Sequence, residues 1–260
     1  MEKSICTYGY IPVRKEPAEQ AEMVTQILFG ETFDVFEIEE QWAKVKLHTD
    51  DYEGWINSKL IKDLSIKEVE RWEQAEKWKV PGPFVKVVTE PDKQTHFISG
   101  GSSIFLNTAD RSSFIIGATE YYISGNQNPD KPVGSITDVA LSFINVPYLW
   151  GGRNFFGLDC SGFTQLVFAI LGVSIPRDAS QQVNSGQIVS FVEEAVAGDM
   201  AFFDDEEGNI VHVGLCLGRG EIIHASGRVR IDKFDHQGIF NNDSKKYSHK
   251  LRVIKRVLGV

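Results

Sequence analysis

One cysteine stands where a thiol could act as a nucleophile. Cys160 lies in "GLDCSG", directly before an apolar run with helical spacing. Backbone N–H groups at a helix N-terminus favour an anion, so we expect the helix to lower the pKa of this thiol. A thiolate is a nucleophile, and the N–H of Cys160 points to where an oxyanion would form. The alternative is that Cys160 is a small residue of the core, as many free cysteines are.

Two histidines downstream favour the catalytic interpretation. His212 lies in "IVHVGLCLG", on the face of a predicted strand that otherwise carries only Gly214 and Cys216. His224 lies in "EIIHAS", after the turn "GRGE". Antiparallel strands joined by that turn would set the imidazoles side by side, and a base histidine oriented by a third polar group is a triad arrangement. The alternative is that each histidine caps a strand or pairs with a carboxylate.

The other histidines and cysteines carry weaker signals. We expect Cys216 to be a packing residue or a passive neighbour of the site, and Cys6 to be incidental. A metal site would combine the two histidines with Asp199 or Cys160, but no H-E-x-x-H or C-x-x-C spacing supports it. Four further histidines lie in polar or turn-rich surroundings and are expected on the surface: His48, His96, His236 and His249.

The composition is that of a globular protein with an acidic surface. Of 260 residues, 42% are apolar and 24% are charged, and the net charge of −9 disfavours nucleic acid and anionic membranes as partners. Three cysteines do not form a disulfide framework, so a reducing compartment fits. The N-terminus has no signal-peptide pattern. We therefore expect a cytoplasmic protein if residue 1 is the native start, and a periplasmic or exported one if a signal has been removed.

The first half of the chain predicts small β-barrels. Residues 1–62 alternate polar and apolar positions between turn glycines, which is typical of such a barrel. Residues 81–128 return to strand-like runs and predict a second, divergent barrel. The segment "GNQNPDKPVGS" (125–135) is rich in Gly, Asn and Pro and predicts a linker.

A linker helix is predicted over residues 63–80, between the two barrels. Ser65 and Glu68 have the spacing of a capping box. Apolar residues from Leu64 to Trp78 then recur at steps of three or four, as in an amphipathic helix.

Residues 134–260 predict one α+β unit. A first helix begins near Ile136 and a second runs from Cys160 to Gly172, separated by a glycine-rich loop over 148–157. Strand-like runs follow without further helices, which favours an antiparallel sheet after the helices.

The motifs of this second half resemble those of the NlpC-type cysteine peptidases, papain-like enzymes of bacterial cell-wall metabolism. They are, in order, "PYLWGGRNFFGLDCSG", "IPRDASQQ", "AGDMAFF", "VHVGLCLG" and "IIHASG". Residues 11–62 resemble a bacterial SH3 domain of the kind found in front of these peptidases. Together the two parts resemble the γ-D-glutamyl-L-diamino acid endopeptidases, which remove L-Ala-γ-D-Glu from murein peptides.

The resemblance implies a catalytic triad. Cys160 matches the nucleophile, His212 the general base and His224 the orienting residue. It implies hydrolysis of the bond between γ-D-Glu and L-Lys or diaminopimelate in murein tripeptides or tetrapeptides with a free N-terminal L-Ala. The enzyme would serve cell-wall peptide recycling as a monomer, and it would need no metal or cofactor.

The resemblance also implies the residues that line the substrate cleft. Ala179 stands where some relatives have serine, which puts one substrate contact there in question. In the resembled enzymes the SH3 domain closes one end of the cleft and helps hold the free amine, so Tyr52 and Glu16 would join Asp159 around an ammonium group. The implied substrate-binding residues are Tyr52, Glu16, Tyr148, Asp159, Ser161, Arg177 and Asp178.

Two other functions remain open at this point. The fold hosts several chemistries, so the protein could be a thiol amidase or acyltransferase on another substrate. It could also be a non-catalytic wall-binding protein with a dormant papain-like domain.

Overall fold

The computed structural model divides into two compact units, one ending at Val133 and the other beginning at Gly134. No helix among the described residues is long and apolar enough to cross a membrane. The structure describes residues 2–62, 64–107, 111–125 and 129–258.

The first unit begins with a six-stranded antiparallel sheet in the order β1-β4-β5-β6-β2-β3. The predicted alternation is confirmed, because Phe33, Val35, Val45 and Leu47 are all buried in its core. Its strands are β1 Glu2–Ile5, β2 Tyr10–Arg14, β3 Met23–Leu28, β4 Thr32–Glu39, β5 Trp42–Leu47 and β6 Glu53–Asn57.

The predicted helix forms but is shorter than the sequence pattern suggested. Helix α1, Ile66–Gln74, has the predicted capping box, with Ser65 and Glu68 each accepting the other's backbone N–H. The prediction of a helix up to residue 80 was wrong, because the chain is extended from Ala75 onward. Trp78 lies in a short strand and pairs with Ile104, a long-range pairing that a helical period cannot reveal.

Helix α1 is a core element of the first unit and does more than link two parts. Val69 and Trp72 are buried, and the Trp72 indole donates a hydrogen bond to the Gly30 carbonyl at 2.9 Å. Phe29, directly after β3, shares a core cluster with them and with Phe114 of the following sheet.

The second sheet of this unit has four strands in the order β11-β12-β8-β9, beside a two-stranded ribbon of β7 and β10. Part of the predicted linker, residues 126–128, lies outside the described residues, as do the predicted domain limits at 1, 63, 128 and 260. The strands are β7 Trp78–Lys79, β8 Phe84–Glu90, β9 Thr95–Ser99, β10 Ser103–Ile104, β11 Ser113–Ile116 and β12 Thr119–Ser124.

The second unit places its helices before its main sheet, as predicted. The helices are α2 Ile136–Leu141, α3 Cys160–Ile170 and α4 Ala179–Gln182. The strands are β13 Arg153–Asn154, β14 Gly157–Leu158, β15 Gln187–Val189, β16 Met200–Asp204, β17 Ile210–Gly218, β18 Glu221–Ser226, β19 Arg228–Phe234, β20 Gly238–Asn241 and β21 Lys246–Arg256.

The main sheet is antiparallel in the order β15-β21-β16-β17-β18-β19-β20, and β20 also pairs with β21. The six strands from β16 to β21 therefore close on themselves. This closure brings β21, the last strand, back to the strands that carry the predicted histidines.

Helix α3 is almost entirely buried and packs against β17 and β18. A glycine sets how closely it approaches the preceding loop. A Cβ atom on Gly162 would lie 2.1 Å from the Gly152 carbonyl oxygen, so only glycine fits there. This contact fixes the start of the helix, where Cys160 stands.

Candidate active site

Cys160 is the first residue of helix α3, and Asp159 is the N-cap residue before it. The Asp159 carboxylate accepts the Gly162 N–H at 2.6 Å, which satisfies one of the donors that a helix N-terminus leaves unpaired. The thiol is accessible but largely enclosed, with Cys160 8% exposed.

The environment of the Cys160 thiol differs from the sequence expectation. Burial raises its pKa to about 11, and the neighbouring Asp159 carboxylate adds to the rise. The backbone N–H groups of Val213 and Ser161 and the charge of Arg177 oppose the rise without cancelling it. The expected lowering was wrong, because desolvation outweighs the field of the helix end. The hydrogen bond from Val213 places the sulfur against β17, next to His212.

The predicted histidines lie side by side on β17 and β18. His212 Nε2 and His224 Nδ1 are 2.8 Å apart, in a buried hydrogen bond. The small residue between them is essential for this approach, since a Cβ atom on Gly214 would come within 2.8 Å of the His224 Cβ. The sequence correctly indicated room beside His212, and the structure fills that room with His224.

A carboxylate on the far side of His224 determines which of the two histidines donates in their hydrogen bond. Asp232 Oδ2 lies 3.1 Å from His224 Nε2. A carboxylate only accepts, so His224 carries its proton on Nε2 and accepts on Nδ1. His212 must then donate from Nε2, which leaves its Nδ1 with a free lone pair. His212 is thereby held in the tautomer that can accept a proton on Nδ1.

Asp232 is kept charged by its surroundings. Burial alone would raise its pKa, but hydrogen bonds from His224 and Arg230 lower the pKa to about 2. Arg230 also pairs with Asp243 at 2.8 Å. Because the Asp232 carboxylate is charged, it accepts the hydrogen bond from His224 Nε2. His224 Nδ1 is then the acceptor for His212.

The sequence analysis did not single out Asp232. It is a buried residue of β19 and the diagonal neighbour of His224 across the β18–β19 ladder. An acidic residue at a buried position of the strand after His224 was the available signal. That strand itself was not predicted.

His212 is neutral at physiological pH. Burial lowers its pKa well below 6.5, and the nearby His249 and His224 lower it further. His249 was predicted to be a surface residue, and this was wrong. It is partly buried on β21 and stacks on His212 with ring centroids 4.1 Å apart, because closure of the sheet brings β21 back to the site.

Asp159 and Arg177 form a buried, bidentate ion pair. Arg177 Nη1 and Nη2 lie 3.0 and 2.5 Å from the two oxygens of Asp159, and Nη1 also donates to the Ser161 hydroxyl at 2.9 Å. Asp159 accepts further hydrogen bonds from the N–H groups of Gly151 and Gly162. In this structure the lone pairs of Asp159 are largely occupied, so its geometry is that of a group that positions the loop and helix around Cys160.

Gln182 supports the same network and was missed by the sequence analysis. It is fully buried, and its amide donates to the carbonyls of Ser161 and Pro176 at 3.0 and 2.8 Å. The Thr164 hydroxyl donates to it at 2.8 Å. This glutamine ties the "IPRDASQQ" segment to the first turn of α3, a role that only the long-range contacts reveal.

Tyr148 lies near the thiol, as its mutual electrostatic effect with Cys160 shows. Burial raises the Tyr148 pKa to about 12, with the charges of Cys160 and Asp159 adding to the rise. Its hydroxyl is therefore protonated and able to donate. Asp178 is the N-cap residue of α4 and is partly exposed.

The remaining predicted residues belong to the first unit or to other parts of the second unit. Glu16 is exposed and Tyr52 is partly buried, and both belong to the first unit. Asp199 is engaged by Arg256 at 2.7 and 2.8 Å. Among the described residues, no group of three or more His, Cys, Asp or Glu side chains has a metal-holding arrangement. Cys216 and Cys6 are fully buried packing residues.

Comparisons with known proteins agree with this geometry. Residues 145–247 match the NlpC/P60 family. Residues 13–61 match the bacterial dipeptidyl-peptidase SH3 domain.

Several curated relatives are peptidases. The chain is 27% identical, over 77% of its length, to the gamma-D-glutamyl-L-lysine dipeptidyl-peptidase of Bacillus cereus, of which it spans 66%. It is 48% identical, over 32% of its length, to the enzyme of the same name from Bacillus subtilis, of which it spans 28%. It thus covers less than two thirds of either relative. It is also 28% identical, over 85% of its length, to dipeptidyl-peptidase 6 of Lysinibacillus sphaericus, of which it spans 88%.

Two solved structures share the fold of this chain. An NlpC/P60 family protein from Bacillus cereus superposes with a TM-score of 0.82 at 21% identity, covering 99% of this chain and 100% of that one. An NlpC/P60 endopeptidase from Photobacterium damselae subsp. piscicida gives 0.71 at 15% identity, covering 96% and 70%. The chain therefore contains an NlpC/P60 domain preceded by a bacterial dipeptidyl-peptidase SH3 domain.

Proposed function

We propose that this protein is a cysteine endopeptidase of cell-wall peptide recycling. It hydrolyses the bond between γ-D-Glu and L-Lys or diaminopimelate in murein peptides that begin with a free L-Ala, and it releases L-Ala-γ-D-Glu. The observation that carries the catalytic part is the Cys160 thiol beside the directed chain from His212 through His224 to Asp232. The names of the relatives support the choice of bond.

The thiol and the base begin the reaction as a neutral pair. The pKa of Cys160 is raised and that of His212 is lowered, so the proton stays on sulfur until substrate arrives. As the sulfur attacks the γ-carbonyl carbon of D-Glu, Nδ1 of His212 takes the thiol proton. The resulting imidazolium is stabilised through His224 by the charged Asp232.

Groups around the thiol then stabilise the oxyanion and protonate the leaving amine. The Cys160 N–H and the protonated Tyr148 hydroxyl donate to the oxyanion. When the C–N bond breaks, His212 returns its proton to the leaving amine. Water, activated by His212, then hydrolyses the thioester and restores the thiol.

Recognition of the free L-Ala amine is a separate part of the proposal. The resemblance assigns it to Glu16, Tyr52 and Asp159, but the Asp159 carboxylate is already held by Arg177 and two backbone N–H groups. The proposal therefore relies on Glu16 and Tyr52 for the direct contacts with the ammonium group. Tyr52→Phe and Glu16→Gln should raise KM for the free-amine peptide and leave the alkylation of Cys160 unchanged.

The test is a comparison of three substrates: L-Ala-γ-D-Glu-L-Lys, its N-acetylated form, and intact peptidoglycan. We expect release of free Lys from the first and at least tenfold less product from the other two. Equal cleavage of the N-acetylated peptide would contradict recognition of the free amine. Transfer of the dipeptide to an added amine in preference to water would favour an acyltransferase. A thiol that is unreactive to iodoacetamide, with no product from any substrate, would leave the non-catalytic wall-binding function.

A further inference from the structure

His249 is a second histidine ring laid against the general base. It lies on β21, two residues beyond the segment that matches the NlpC/P60 family. Its ring is stacked on that of His212, with centroids 4.1 Å apart and planes inclined by 25°. By contrast, the His224 ring meets His212 edge-on, at 84°. His212 therefore has one neighbour in its plane, which fixes its tautomer, and another on its face.

Two contacts hold the His249 ring in place. Its Nδ1 lies 2.8 Å from the Ser248 hydroxyl, and the Phe203 ring packs edge-on against it at 6.0 Å. Phe203 also packs against His212 at 5.8 Å. The three rings form one cluster, so a change at position 249 acts directly on the orientation of the base.

Charges from each neighbouring strand bear on His249. His224 on β18 disfavours its protonation, and Asp232 on β19 favours it. His249 in turn disfavours the protonation of His212 on β17. Burial has the largest effect and lowers the His249 pKa to about 4. On β16, Asp204 is paired with Lys250 and Arg252 of β21 itself. His249 is therefore neutral at pH 7 and gains a charge only in acid.

We propose that His249 is a positioning residue for the general base, and that its protonation switches the site off in acid. A neutral ring supports the His212 imidazole and offers an aromatic face to the imidazolium that forms when Cys160 loses its proton. A protonated ring would instead place a second positive charge 4.1 Å away and oppose that proton transfer. The inference rests on the role of His212 in the proposed function.

Two substitutions separate the ring from its charge. His249→Phe keeps an aromatic ring that cannot be protonated, and His249→Ala removes the ring. At pH 7.5, we expect kcat of His249→Ala on L-Ala-γ-D-Glu-L-Lys to fall at least tenfold with KM within twofold, and His249→Phe to stay within threefold of the wild type. His236→Phe, at an exposed histidine of the same unit, is the matched control and should change neither constant.

The fall of kcat/KM at low pH, which is the acid limb of the pH profile, tests the effect of a charge on His249. If a protonated His249 silences the site, His249→Phe moves the limb to lower pH, because one inactivating proton has been removed. If the charge on His249 is harmless, the same substitution moves the limb to higher pH, because His212 loses a competitor for the first proton. A limb that is unchanged or moves upward overturns the acid switch. A kcat for His249→Ala equal to that of the wild type overturns the positioning role.

A readout without substrate keeps this inference distinct from the proposed function. In ¹⁵N NMR of histidine-labelled protein, His212 should keep one tautomer, protonated on Nε2, in the wild type and in His249→Phe, and should exchange between tautomers in His249→Ala. If the tripeptide is not hydrolysed but this pattern holds, the proposed substrate is wrong and the positioning role stands. One tautomer in all three proteins contradicts the positioning role, as does exchange in His249→Phe. If His249→Ala does not fold, His249→Leu fills most of the same space without an aromatic ring, and the same exchange between tautomers is expected in it.

Discussion

Asp232 determines which atoms donate and which accept in the hydrogen bonds that link it, through His224, to His212 beside the thiol. It accepts from His224, which accepts from His212, and the chain leaves His212 Nδ1 as the site that can receive a proton. The direction depends on a group that can only accept. An amide at position 232 could donate instead, which would reverse both histidines and place a proton on Nδ1 of the base.

Asp232→Asn should therefore lower kcat by about 10²-fold or more with little change in KM, since only the tautomer of the base is altered. Asp243→Asn is the matched control, because Asp243 also pairs with Arg230 but does not touch His224. Steady-state kinetics of both variants on the tripeptide decide the matter. Similar losses in the two variants would mean that Asp232 acts only by holding Arg230.

The protonation state of Cys160 predicts how the rate of its alkylation depends on pH. Its pKa is raised to about 11 and that of His212 is lowered, so the thiol is neutral near pH 7. The rate of alkylation by iodoacetamide should rise about tenfold per pH unit between pH 8 and 10, because the thiolate fraction does. Cys160→Ala gives the background of the two buried cysteines. A rate that is level from pH 5 to 8 would indicate a thiolate–imidazolium pair and contradict this account.

The sequence predicted the residues that lie in distinct local motifs and missed two that stand on other strands of the sheet, Asp232 and His249. Cys160, His212 and His224 stand on strongly patterned elements, α3, β17 and β18. Asp232 reaches His224 across the β18–β19 ladder, and His249 reaches His212 from β21 of the same sheet. The pKa of Cys160 was misjudged because a helix N-terminus is visible in sequence, whereas the burial that outweighs it is not.

The start of helix α3 is the element that positions the nucleophile. Asp159 caps it, Arg177 and Gln182 hold its first turn, and Gly162 sets its distance from the Gly152 carbonyl. The close approach opposes the usual helix preference, because alanine is more favourable than glycine in a helix by about 1 kcal/mol.

Gly162→Ala should consequently destabilise the protein by roughly 1–3 kcal/mol and lower kcat at least tenfold in the folded molecules, since backbone must move to admit the methyl group. Urea unfolding and kinetics on the same sample measure both effects. Ala169→Gly, in the last turn of the same helix, is the control and should lose about 1 kcal/mol with activity retained. A variant at position 162 that is more stable than the wild type and fully active would show that helix preference outweighs the contact.

Sequence patterns predicted the strands and the starts of helices better than the ends of helices. The capping box at Ser65 marks a real N-terminus. The end of α1 depends instead on the pairing of Trp78 with Ile104, a contact between residues 26 positions apart (104 − 78). Such pairings decide where a marginal helix stops, and a local pattern does not contain them.

At the scale of the whole molecule, two compact units correspond to two kinds of domain. The first unit contains the SH3 match, and its core joins the first sheet, helix α1 and the second sheet. The second contains the NlpC/P60 match and all the residues of the catalytic chain. The motifs predicted SH3-like barrels and a linker helix before a peptidase-like domain, while the common core within the first unit depends on packing that the sequence does not display.

The central claim is that one thiol among three performs the chemistry, and the most direct measurement compares two cysteine variants. Turnover of L-Ala-γ-D-Glu-L-Lys should fall by about 10³-fold or more in Cys160→Ala, because no nucleophile remains at the head of α3. Cys216→Ala, at a fully buried cysteine of the same unit, should keep kcat within threefold of the wild type. Turnover by Cys160→Ala within tenfold of the wild type would contradict the account.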